Sequence, residues 1–380
     1  MDRIRLGMVG GGKDAFIGAV HRIAARIDGQ YDLVAGALSA SPDKARESGL
    51  ALGLDPGRCY GAFAEMAEAE AARPDGIEAV AIVTPNHMHA GPAIEFLDRG
   101  VHVICDKPLA ATLEQAEALA AAVARSKALF ILTHNYTGYP MVRQARAMVA
   151  SGEIGAVRVV QAEYPQDWLT EAAEATGANK QAEWRTDPAR SGAGGSIGDI
   201  GTHAHNLACF VTGLAVESLA ADLQSFVPGR RVDDNANILL RLEGGARGML
   251  WCSQVAPGAE NGLRLRVYGD KGGLEWAQED PNYLWHTPFG QPRRLLTRGG
   301  AGAGPAAAAA SRTPGGHPEG YLEGFANIYL GAAQAIRAAR DGGRAEALDL
   351  LPGIEAGLAG MRFIAAALRS SRENAAWVAL

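Results

Sequence analysis

Short apolar runs alternate with amphipathic stretches over the first third of the chain. The apolar runs are continuous and rich in β-branched residues, and they cover residues 4–11, 32–39, 78–84, 101–105 and 129–135. Runs of this kind are typical of strands that are buried on both faces. Helical periodicity separates them, as at 112–126, where Thr112 and Gln115 form a capping-box pattern. This alternation predicts an α/β fold with a doubly wound parallel sheet over residues 1–135.

A different pattern follows. One helix is predicted from Pro140 to about Gly152. Strands with period-two alternation then dominate, at 156–164, 237–255 and 263–276. Glycine-containing breaks at 244–245 and 270–273 are typical of hairpin turns. Period-two alternation indicates an open, largely antiparallel sheet with one covered face, so residues 136–380 are predicted to form an α+β domain.

Two helical stretches, from about Glu319 and about Gly353, close the chain, and whether they pack back on the first domain is left open. The Gly- and Ala-rich segment 298–316 is of low complexity and is expected to be a mobile surface loop. An exposed sheet face favours a dimer or tetramer.

Composition limits the classes of partner. At 380 residues the chain is too long for one ordinary core, so two domains are expected. The net charge of −6 and the lack of a Lys/Arg-dense stripe argue against nucleic acid. No signal-peptide pattern opens the sequence and no apolar run of about 18 residues occurs, which predicts a soluble, cytoplasmic protein with no membrane partner. The four cysteines lack C-x-x-C spacing and are expected to be reduced.

A glycine cluster directly follows the first predicted strand. Gly10 and Gly12 supply a G-x-G, and the third glycine is displaced to Gly18, as if about three residues had been inserted. Small residues at such a turn let a pyrophosphate approach the backbone and sit at a helix N-terminus. The position of the cluster predicts a dinucleotide-binding site.

The end of the second strand normally distinguishes NAD from NADP, because an acid there holds the ribose 2′-hydroxyl. Ser39 and Ser41 occupy this region instead. Lys44 and Arg46 lie close enough to bind a 2′-phosphate, or to form a solvated helix face. NAD is favoured only slightly, and NADP stays open.

Polar residues follow two further strands, at the edge where ligands bind in open α/β sheets. These segments are "TPNHMH", residues 84–89, and "CDKP", residues 105–108. Proline keeps the preceding residue out of helical geometry, so Lys107 is predicted to stay at the strand end. A plain surface turn is the alternative.

The glycine-rich stretch 194–213 carries Asp199, His203 and Asn206 at the spacing of one helix face. An imidazole, with a pKa of about 6.5, suits the removal of a proton from a hydroxyl group. A neighbouring carboxylate orients the ring and raises its basicity, and an ammonium group stabilises a developing alkoxide. A surface or capping cluster is the alternative. His205 points to another helix face, so no metal site is predicted.

Taken in order, the glycine cradle, T-P-N-x-x-H, Asp-Lys-Pro and D-x-x-x-H resemble the Gfo/Idh/MocA family of nicotinamide-dependent sugar and polyol oxidoreductases. The resemblance implies a Rossmann domain plus a sheet domain that shields nicotinamide and substrate. It implies that Lys107, Asp199 and His203 are catalytic. Asp106 stands where the family more often has Glu, and Asn206 where many members have Asp.

The implied function is hydride transfer between NAD, with NADP possible, and a secondary hydroxyl or ketone of a sugar, glycoside or cyclic polyol such as inositol. Two alternatives stay open: a glycosidase that uses NAD for transient oxidation and elimination, and a non-catalytic dinucleotide sensor. An intact set of proton-transfer residues argues against the sensor.

Two sets of binding residues are expected. The predicted cofactor-binding residues are Gly10, Gly12, Lys13, Phe16, Ile17, Ser39, Ser41, Arg46, Thr84, Pro85, Asn86, His89, Asp106 and Lys107. The predicted substrate-binding residues are Tyr136, Tyr164, Asp167, Trp168, Trp184, Arg185, Asn206 and His317. Aromatic rings and bidentate donors suit sugars, although core packing is an equal alternative for the two tryptophans.

Overall fold

The computed structural model describes residues 2–13, 15–177 and 179–380. The chain forms two compact units. The first comprises Met1–Asn135 and Leu322–Leu358, and the second comprises Tyr136–Tyr321 and Ala359–Leu380. Residues close to the C-terminus therefore contribute to both units.

The first unit is built on a five-stranded sheet. Its strands are β1 (Ile4–Gly10), β2 (Tyr31–Ala37), β3 (Ala79–Val83), β4 (His102–Cys105) and β5 (Phe130–Leu132). The helices between them are α1 (Phe16–Ile27), α2 (Pro42–Ala51), α3 (Phe63–Ala71), α4 (Ala90–Leu97) and α5 (Leu113–Arg125). The strand order is β2-β1-β3-β4-β5 and every neighbouring pair is parallel. The predicted parallel, doubly wound sheet is confirmed.

The sequence signals act locally as expected. All five residues of β3 are buried, which is why this strand is a continuous apolar run. At the start of α5, Thr112 Oγ1 accepts a hydrogen bond from the Gln115 N–H (3.3 Å). The Gln115 side chain in turn accepts one from the Ala111 N–H (3.2 Å). Two helix-end donors are satisfied by this exchange.

The second unit is an α+β structure. Its helices up to residue 308 are α6 (Pro140–Ala150), α7 (Lys180–Arg185), α8 (Pro188–Ser191), α9 (Thr202–Thr212) and α10 (Pro305–Ala308). Its strands are β6 (Val157–Pro165), β7 (Val216–Gln224), β8 (Asn235–Leu242), β9 (Arg247–Ser253), β10 (Arg264–Gly269), β11 (Gly272–Ala277), β12 (Tyr283–Pro288), β13 (Arg294–Thr297) and β14 (Val378–Ala379). Two long helices follow β13 in the chain, α11 (Tyr321–Arg340) and α12 (Ile354–Arg372).

The nine strands form one sheet in the order β13-β12-β11-β10-β6-β9-β8-β7-β14. Neighbours are antiparallel except β6 and β9, which run parallel. The predicted largely antiparallel sheet is therefore confirmed. Along β8 buried and exposed residues alternate, and α6 and α9 pack on strands of this sheet. The turn between β8 and β9 contains Gly244 and Gly245, both at positive φ, as the glycine pair predicted.

Residues 298–316 differ from the predicted mobile surface loop. They contain α10, and Ala307 and Ala310 are buried. Arg298 is buried against Glu319 (3.2 Å), and its guanidinium donates to the carbonyl oxygen of Thr313 (2.7 Å). The composition of the segment hides this, because the buried ion pair joins its first residue to Glu319, which lies beyond its last residue.

One segment of the described residues, Glu346–Arg372, is long and apolar enough to span a membrane. Half of its most apolar stretch is buried inside the protein, which is also the behaviour of a core helix.

Candidate active site

The turn after β1 has the backbone of a phosphate cradle. Gly10 and Gly11 have φ angles of +78° and +69°, a region that favours glycine. The Gly12 N–H donates to the Leu38 carbonyl oxygen (3.1 Å), and a Cβ at Gly12 would come within 2.6 Å of that oxygen. A side chain at this position would therefore strike the neighbouring backbone, and only glycine fits the turn.

Gly18 explains the displaced third glycine. A Cβ at this position would overlap the backbone of Gly11, so α1 can approach the turn only without a side chain here. Arg22, one turn further along α1, donates from Nη1 to the Gly11 carbonyl oxygen (2.5 Å). The helix is thus fastened to the turn by a close contact and a charged donor.

The other predicted residues of this region lie around the turn. The Lys13 N–H donates to Ser48 Oγ (3.1 Å). The ammonium group of Lys13 forms an exposed ion pair with Glu47. Phe16 is exposed at the first position of α1, and Ile17 follows it half-buried. The ring of Phe16 therefore projects beside the helix N-terminus.

The residues predicted to surround the ribose follow β2. Ser41 lies immediately before α2, and its N–H donates to Ser39 Oγ (3.2 Å). Arg46 is exposed on α2. No acid occupies the position of Ser39, as the sequence indicates.

His89 ties the ends of β3 and β4 together. One ring nitrogen lies 2.7 Å from the Pro108 carbonyl oxygen and the other 2.8 Å from the Thr84 carbonyl oxygen. Burial lowers the pKa of the His89 imidazole. Because both nitrogens face backbone carbonyls, the side chain fixes the two predicted cofactor-binding segments relative to one another. Pro85 and the buried Asn86 lie between these anchors.

The Asp106 side chain holds the backbone of Lys107 just after the end of β4. Its Oδ1 accepts hydrogen bonds from the Lys107 N–H (2.9 Å) and Thr133 Oγ1 (3.1 Å). The buried His21 places Nε2 4.0 Å from the same oxygen. The peptide bond between Lys107 and Pro108 is cis. Lys107 is therefore held at the strand end, as predicted.

His21 is itself held by a hydrogen bond from the other ring nitrogen to Tyr329 Oη (2.9 Å). Burial lowers the pKa of His21 to about 4, so the ring is neutral near pH 7. Sequence reasoning missed both residues. Tyr329 lies on α11, more than 300 residues along the chain from His21, and no local pattern connects the two.

These features fit a dinucleotide. The glycine turn, the N-terminus of α1 and the ends of β1 and β3 meet where the strand order of the sheet reverses. Open α/β sheets bind nucleotides at this point. A Cβ at Gly10, Gly11 or Gly12 would strike neighbouring backbone or side-chain atoms, so only glycines let this turn pack against its neighbours.

In the second unit, Asp199 and His203 do not lie on one regular α-helix. Residues Ile197–Gly201 form a π-helical turn, and α9 begins at Thr202. Asp199 belongs to the π-turn, whereas His203 and the following Asn206 are buried on α9. The expected α-helical spacing is therefore wrong across this junction. π-turns inside helices are frequent at functional sites.

Asp233 caps this helix. Its buried carboxylate accepts hydrogen bonds from the Gly195 N–H (2.7 Å), Ser196 Oγ (2.6 Å) and the Ile197 N–H (2.8 Å). A Cβ at Gly195 would overlap the Asp233 carbonyl oxygen. The glycine-rich stretch thus lets the loop carrying Asp233 approach the start of the helix.

The Asp199 carboxylate is held from two sides. Its Oδ2 accepts hydrogen bonds from Arg185 Nε (3.2 Å) and Gln254 Nε2 (2.9 Å). The Arg185 guanidinium also lies over the Trp184 ring, 4.3 Å from its centroid, and 6.0 Å from the centroid of Trp168. Four of the predicted residues therefore form one cluster, to which the structure adds Gln254.

His203 lies against two tyrosines. The Tyr136 ring centroid is 4.8 Å from the imidazole and that of Tyr164 is 6.2 Å away. The two phenol oxygens are 2.5 Å apart, and Tyr164 donates to Asn261 Oδ1 (2.7 Å). Burial raises the pKa of Tyr136 to about 12, so both rings face His203 in the neutral form.

Two of the predicted substrate residues lie outside these clusters. Asp167 Oδ2 accepts a hydrogen bond from the Gly258 N–H (3.2 Å). His317 is exposed, and its carbonyl oxygen accepts a bond from Arg298. His205 stacks on Phe363 at 4.4 Å, and burial lowers its pKa to about 4, as fits the structural role expected for it.

Comparison with known proteins identifies the family. Residues 4–134 match the model of the oxidoreductase family with an NAD-binding Rossmann fold, and residues 142–275 match the Gfo/Idh/MocA C-terminal domain. The uncharacterized oxidoreductase YfiI of Bacillus subtilis strain 168 is 36% identical over 381 residues, which cover 99% of this chain and 96% of that protein. The chain belongs to the Gfo/Idh/MocA family of oxidoreductases.

Solved structures agree with this family. An oxidoreductase from Sinorhizobium meliloti is 62% identical, with a TM-score of 0.91 and complete coverage of both chains. An inositol dehydrogenase homolog from Azotobacter vinelandii, complexed with NAD⁺, is 38% identical, with a TM-score of 0.95 over 100% of this chain and 98% of that chain. A second structure of such a homolog from the same organism is complexed with NADH and myo-inositol.

As a Gfo/Idh/MocA member with an NAD-binding Rossmann domain, the protein is an oxidoreductase and NAD is its cofactor. The predicted resemblance, enzyme class and cofactor are confirmed. Within the described residues, no group of three or more His, Cys, Asp or Glu side chains is placed to hold a metal ion.

Sequence reasoning missed several supporting residues of this family member. They are His21, Arg22, Tyr329, Asp233, Gln254 and Asn261. Gln254 directly follows the apolar run of β9, so a polar residue at the end of a strand was its one available signal. Asp233 lies in a loop beside a second acid, Asp234, and nothing in the sequence distinguishes Asp233 from its neighbour.

Proposed function

We propose that this oxidoreductase oxidises a secondary hydroxyl group of a sugar, glycoside or cyclic polyol, and reduces the corresponding ketone. The observation that carries the proposal is the capped helix of the second unit, which holds a half-buried Asp199 between guanidinium and amide donors and a buried His203 against two tyrosines. The myo-inositol named for the Azotobacter vinelandii homolog is a cyclic polyol and supports this substrate class.

His203 serves as the proton acceptor in this proposal. Alcohol oxidation requires a base at the hydroxyl group, and an imidazole is effective near neutral pH. Asp199 supplies negative charge that favours the protonated ring. Lys107 supplies positive charge to the oxygen that loses its proton. Bound NAD⁺ supplies the hydride acceptor.

The glycine turn and the strand ends hold the cofactor in the same proposal. The glycine turn at Gly10–Gly12 and the N-terminus of α1 are proposed to lie against the pyrophosphate. The segments Thr84–His89 and Asp106–Lys107, which His89 and Asp106 fix in place, lie at the carboxyl ends of β3 and β4. Residues 1–135 are thus proposed to bind the cofactor and 136–380 the substrate.

The substrate-facing residues are proposed from the two clusters of the second unit. Trp168 and Trp184 offer apolar faces and flank the planar cation of Arg185. Asn206 lies one helical turn after His203. Such a combination of rings and directional polar groups suits the alternating C–H faces and hydroxyl groups of a sugar.

A substrate panel tests the proposal. Purified protein is mixed with individual sugars, glycosides and inositols, each with NAD⁺ and with NADP⁺, and the absorbance of the reduced cofactor is followed. At least one cyclic polyol or sugar is expected to give net NADH. Glycoside cleavage without net NADH would identify the glycosidase chemistry instead.

We also propose that the protein is a homo-oligomer, a dimer or tetramer. The face of the sheet opposite its buried side exposes Leu239 and Met249, which lie directly opposite one another in register, at 52% and 47% exposure. Val159 and Tyr268, also in register, are exposed on the neighbouring strands β6 and β10. Contiguous apolar side chains of this kind favour coverage by a second copy.

A cytoplasmic location is proposed as well. It is supported by the use of NAD and by the four cysteines, which are all free thiols. Cell fractionation followed by detection of the protein tests this location.

A further inference from the structure

The Asp199 carboxylate has one oxygen, Oδ2, on which two donors converge. Gln254 Nε2 lies 2.9 Å and Arg185 Nε 3.2 Å from this atom. The donors come from different parts of the second unit, Gln254 from the end of β9 and Arg185 from α7. Without such donors, the carboxylate of an aspartate can rotate about the bond that joins it to Cβ. Two donors on one oxygen restrict this rotation and so orient the carboxylate.

Gln254 is the rigid donor of the two. It is 2% exposed, and its backbone is fixed on both sides. The Gln254 N–H donates to the Asp234 carbonyl oxygen (2.8 Å), and its own carbonyl oxygen accepts from the Leu169 N–H (3.1 Å). The side-chain amide is thus presented to Asp199 from a strand end that cannot easily shift.

Arg185 is the donor that carries charge. It is half-buried, lies over the Trp184 ring, and donates to Gln181 Oε1 on the same short helix. A guanidinium has donors in a fixed plane, so stacking and a carboxylate bond can be satisfied together. Arg185 therefore links the aromatic side chains proposed to meet the substrate with the carboxylate beside the proposed base.

We propose that Gln254 and Arg185 are positioning residues that orient Asp199 and keep it ionised for its action on His203. The inference rests on the proposed function, because it takes Asp199 and His203 as the proton-transfer pair. Gln254 sets the geometry of the carboxylate, and Arg185 sets its charge state and connects it to the substrate side.

The pH dependence of the reaction reports this role. Ionisable groups that interact with Asp199 include Arg185, by the ion pair, and Tyr136, Tyr164 and Cys252, electrostatically. Burial raises the pKa of both tyrosines and of the Cys252 thiol above the ordinary values for these groups. These three groups therefore stay neutral between about pH 5 and 9. Asp233, which faces the preceding residues 195–197, also has its pKa raised by burial.

Removing either donor raises the pKa of the Asp199–His203 pair. A carboxylate that loses a hydrogen bond or a neighbouring cation holds its proton more strongly, and an unscreened carboxylate raises the pKa of the imidazole. In both cases the acid limb of the kcat/KM profile for alcohol oxidation moves to higher pH. A substitution that only loosens the fold lowers activity without moving this limb.

The test compares Gln254→Leu, Gln254→Glu, Arg185→Gln and Arg185→Lys with the wild type on the substrate found in the panel. Gln254→Leu and Arg185→Gln are expected to lower kcat/KM by roughly 10- to 100-fold, the range for a hydrogen bond to a charged group. Their acid limbs are expected at higher pH. Gln254→Glu, which places a second carboxylate on Asp199, is expected to move the limb furthest, and Arg185→Lys is expected to restore part of the wild-type profile.

Arg231→Gln is the matched control. Arg231 forms an exposed ion pair with Asp187 (2.8 Å) close to the short helices α7 and α8. Asp187 takes no part in the two hydrogen bonds that Arg185 and Gln254 donate to Asp199. Its profile is expected to match the wild type. Thermal melting and NADH fluorescence titration show that each variant is folded and binds the cofactor.

The outcomes separate this inference from the proposed function. If Asp199→Asn is inactive while Gln254→Leu and Gln254→Glu keep the wild-type acid limb, the positioning role is wrong and the proposed proton-transfer pair stands. If Asp199→Asn retains full activity, the proposed catalytic group is wrong. An acid limb that moves in the Gln254 and Arg185 variants, but not in Arg231→Gln, supports the inference.

Discussion

His203 is the residue on which the proposed chemistry depends most directly. His203→Ala is expected to lower kcat by roughly 10²–10⁴, the usual range for a general acid–base group. NADH affinity is expected to change only a few-fold, because the glycine turn that holds the pyrophosphate is unaltered. Steady-state kinetics and NADH fluorescence titration measure the two quantities. Near-wild-type turnover would remove His203 from the mechanism.

Lys107 is expected to act through its charge. Lys107→Met keeps most of the stem and deletes the ammonium group, so it separates electrostatics from packing. A fall in kcat/KM of at least about 100-fold is expected for loss of an electrostatic stabiliser. The backbone contact to Asp106 remains, so the melting temperature should stay close to that of the wild type. A folded and fully active variant would reduce the Asp-Lys-Pro motif to a turn.

Ser39 and Arg46 bear on the choice between NAD and NADP. Ser39→Asp places an acid after β2 and is expected to strengthen the preference for NAD, because a carboxylate disfavours a 2′-phosphate. Arg46→Ala is expected to weaken NADP more than NAD, since Arg46 is exposed on α2 and able to meet that phosphate. The ratio of kcat/KM values for the two cofactors measures both effects. An unchanged ratio in both variants would place the ribose elsewhere.

At the scale of elements, the buried strands and the glycine turn could be predicted because their causes are local. A strand covered on both faces needs a continuous apolar run, and a close backbone approach needs glycine. The order of motifs then placed Lys107 at a strand end. These features follow from residues that are close together in the chain.

The supporting contacts could not be predicted because they join distant residues. Gln254 meets Asp199 across 55 positions and Asp233 meets Gly195 across 38. The π-turn at 197–201 was also missed, since the spacing of Asp199 and His203 looks regular in sequence. The conformation of segment 298–316 was predicted from its composition, whereas a buried ion pair between Arg298, its first residue, and Glu319, beyond its last residue, holds it in place.

The cap provided by Asp233 is expected to stabilise the whole helix that carries Asp199 and His203. Asp233→Ala removes the acceptor of three hydrogen bonds and leaves buried donors unsatisfied, which is expected to cost about 2–4 kcal/mol. Activity should fall as well, because the turn that carries Asp199 loses its anchor. Urea denaturation and kinetics measure the two effects.

Asp187→Ala is the matched control for this cap. Asp187 accepts from the Ala189 N–H (3.2 Å) at the start of the short helix α8, where the bond is exposed. A cost of about 1 kcal/mol or less is expected for such a cap. Equal destabilisation by the two substitutions would show that the Asp233 carboxylate is no more than an ordinary helix cap.

At the scale of the whole molecule, the exposed face of the nine-stranded sheet is the surface through which copies of the chain are proposed to assemble. Leu239 on β8 and Met249 on β9 contact each other in register near the middle of this face. Across β6 the same row continues through Gln161 to Arg266 on β10. An apolar patch on β8 and β9 with charged residues beside it on β10 resembles the composition of a subunit interface.

Leu239→Lys and Met249→Lys are therefore expected to convert the oligomer into single chains. Each places a charge in the apolar centre of a self-complementary surface, where the same residue also meets its symmetry-related copy. Light scattering after size-exclusion chromatography measures the mass, and circular dichroism checks that the fold is retained. Phe289→Lys is the control, because Phe289 is exposed just beyond β12 and away from this row. A wild-type protein that runs as a single chain, or a mass unchanged in both face variants, would show that the apolar face is not an interface between copies.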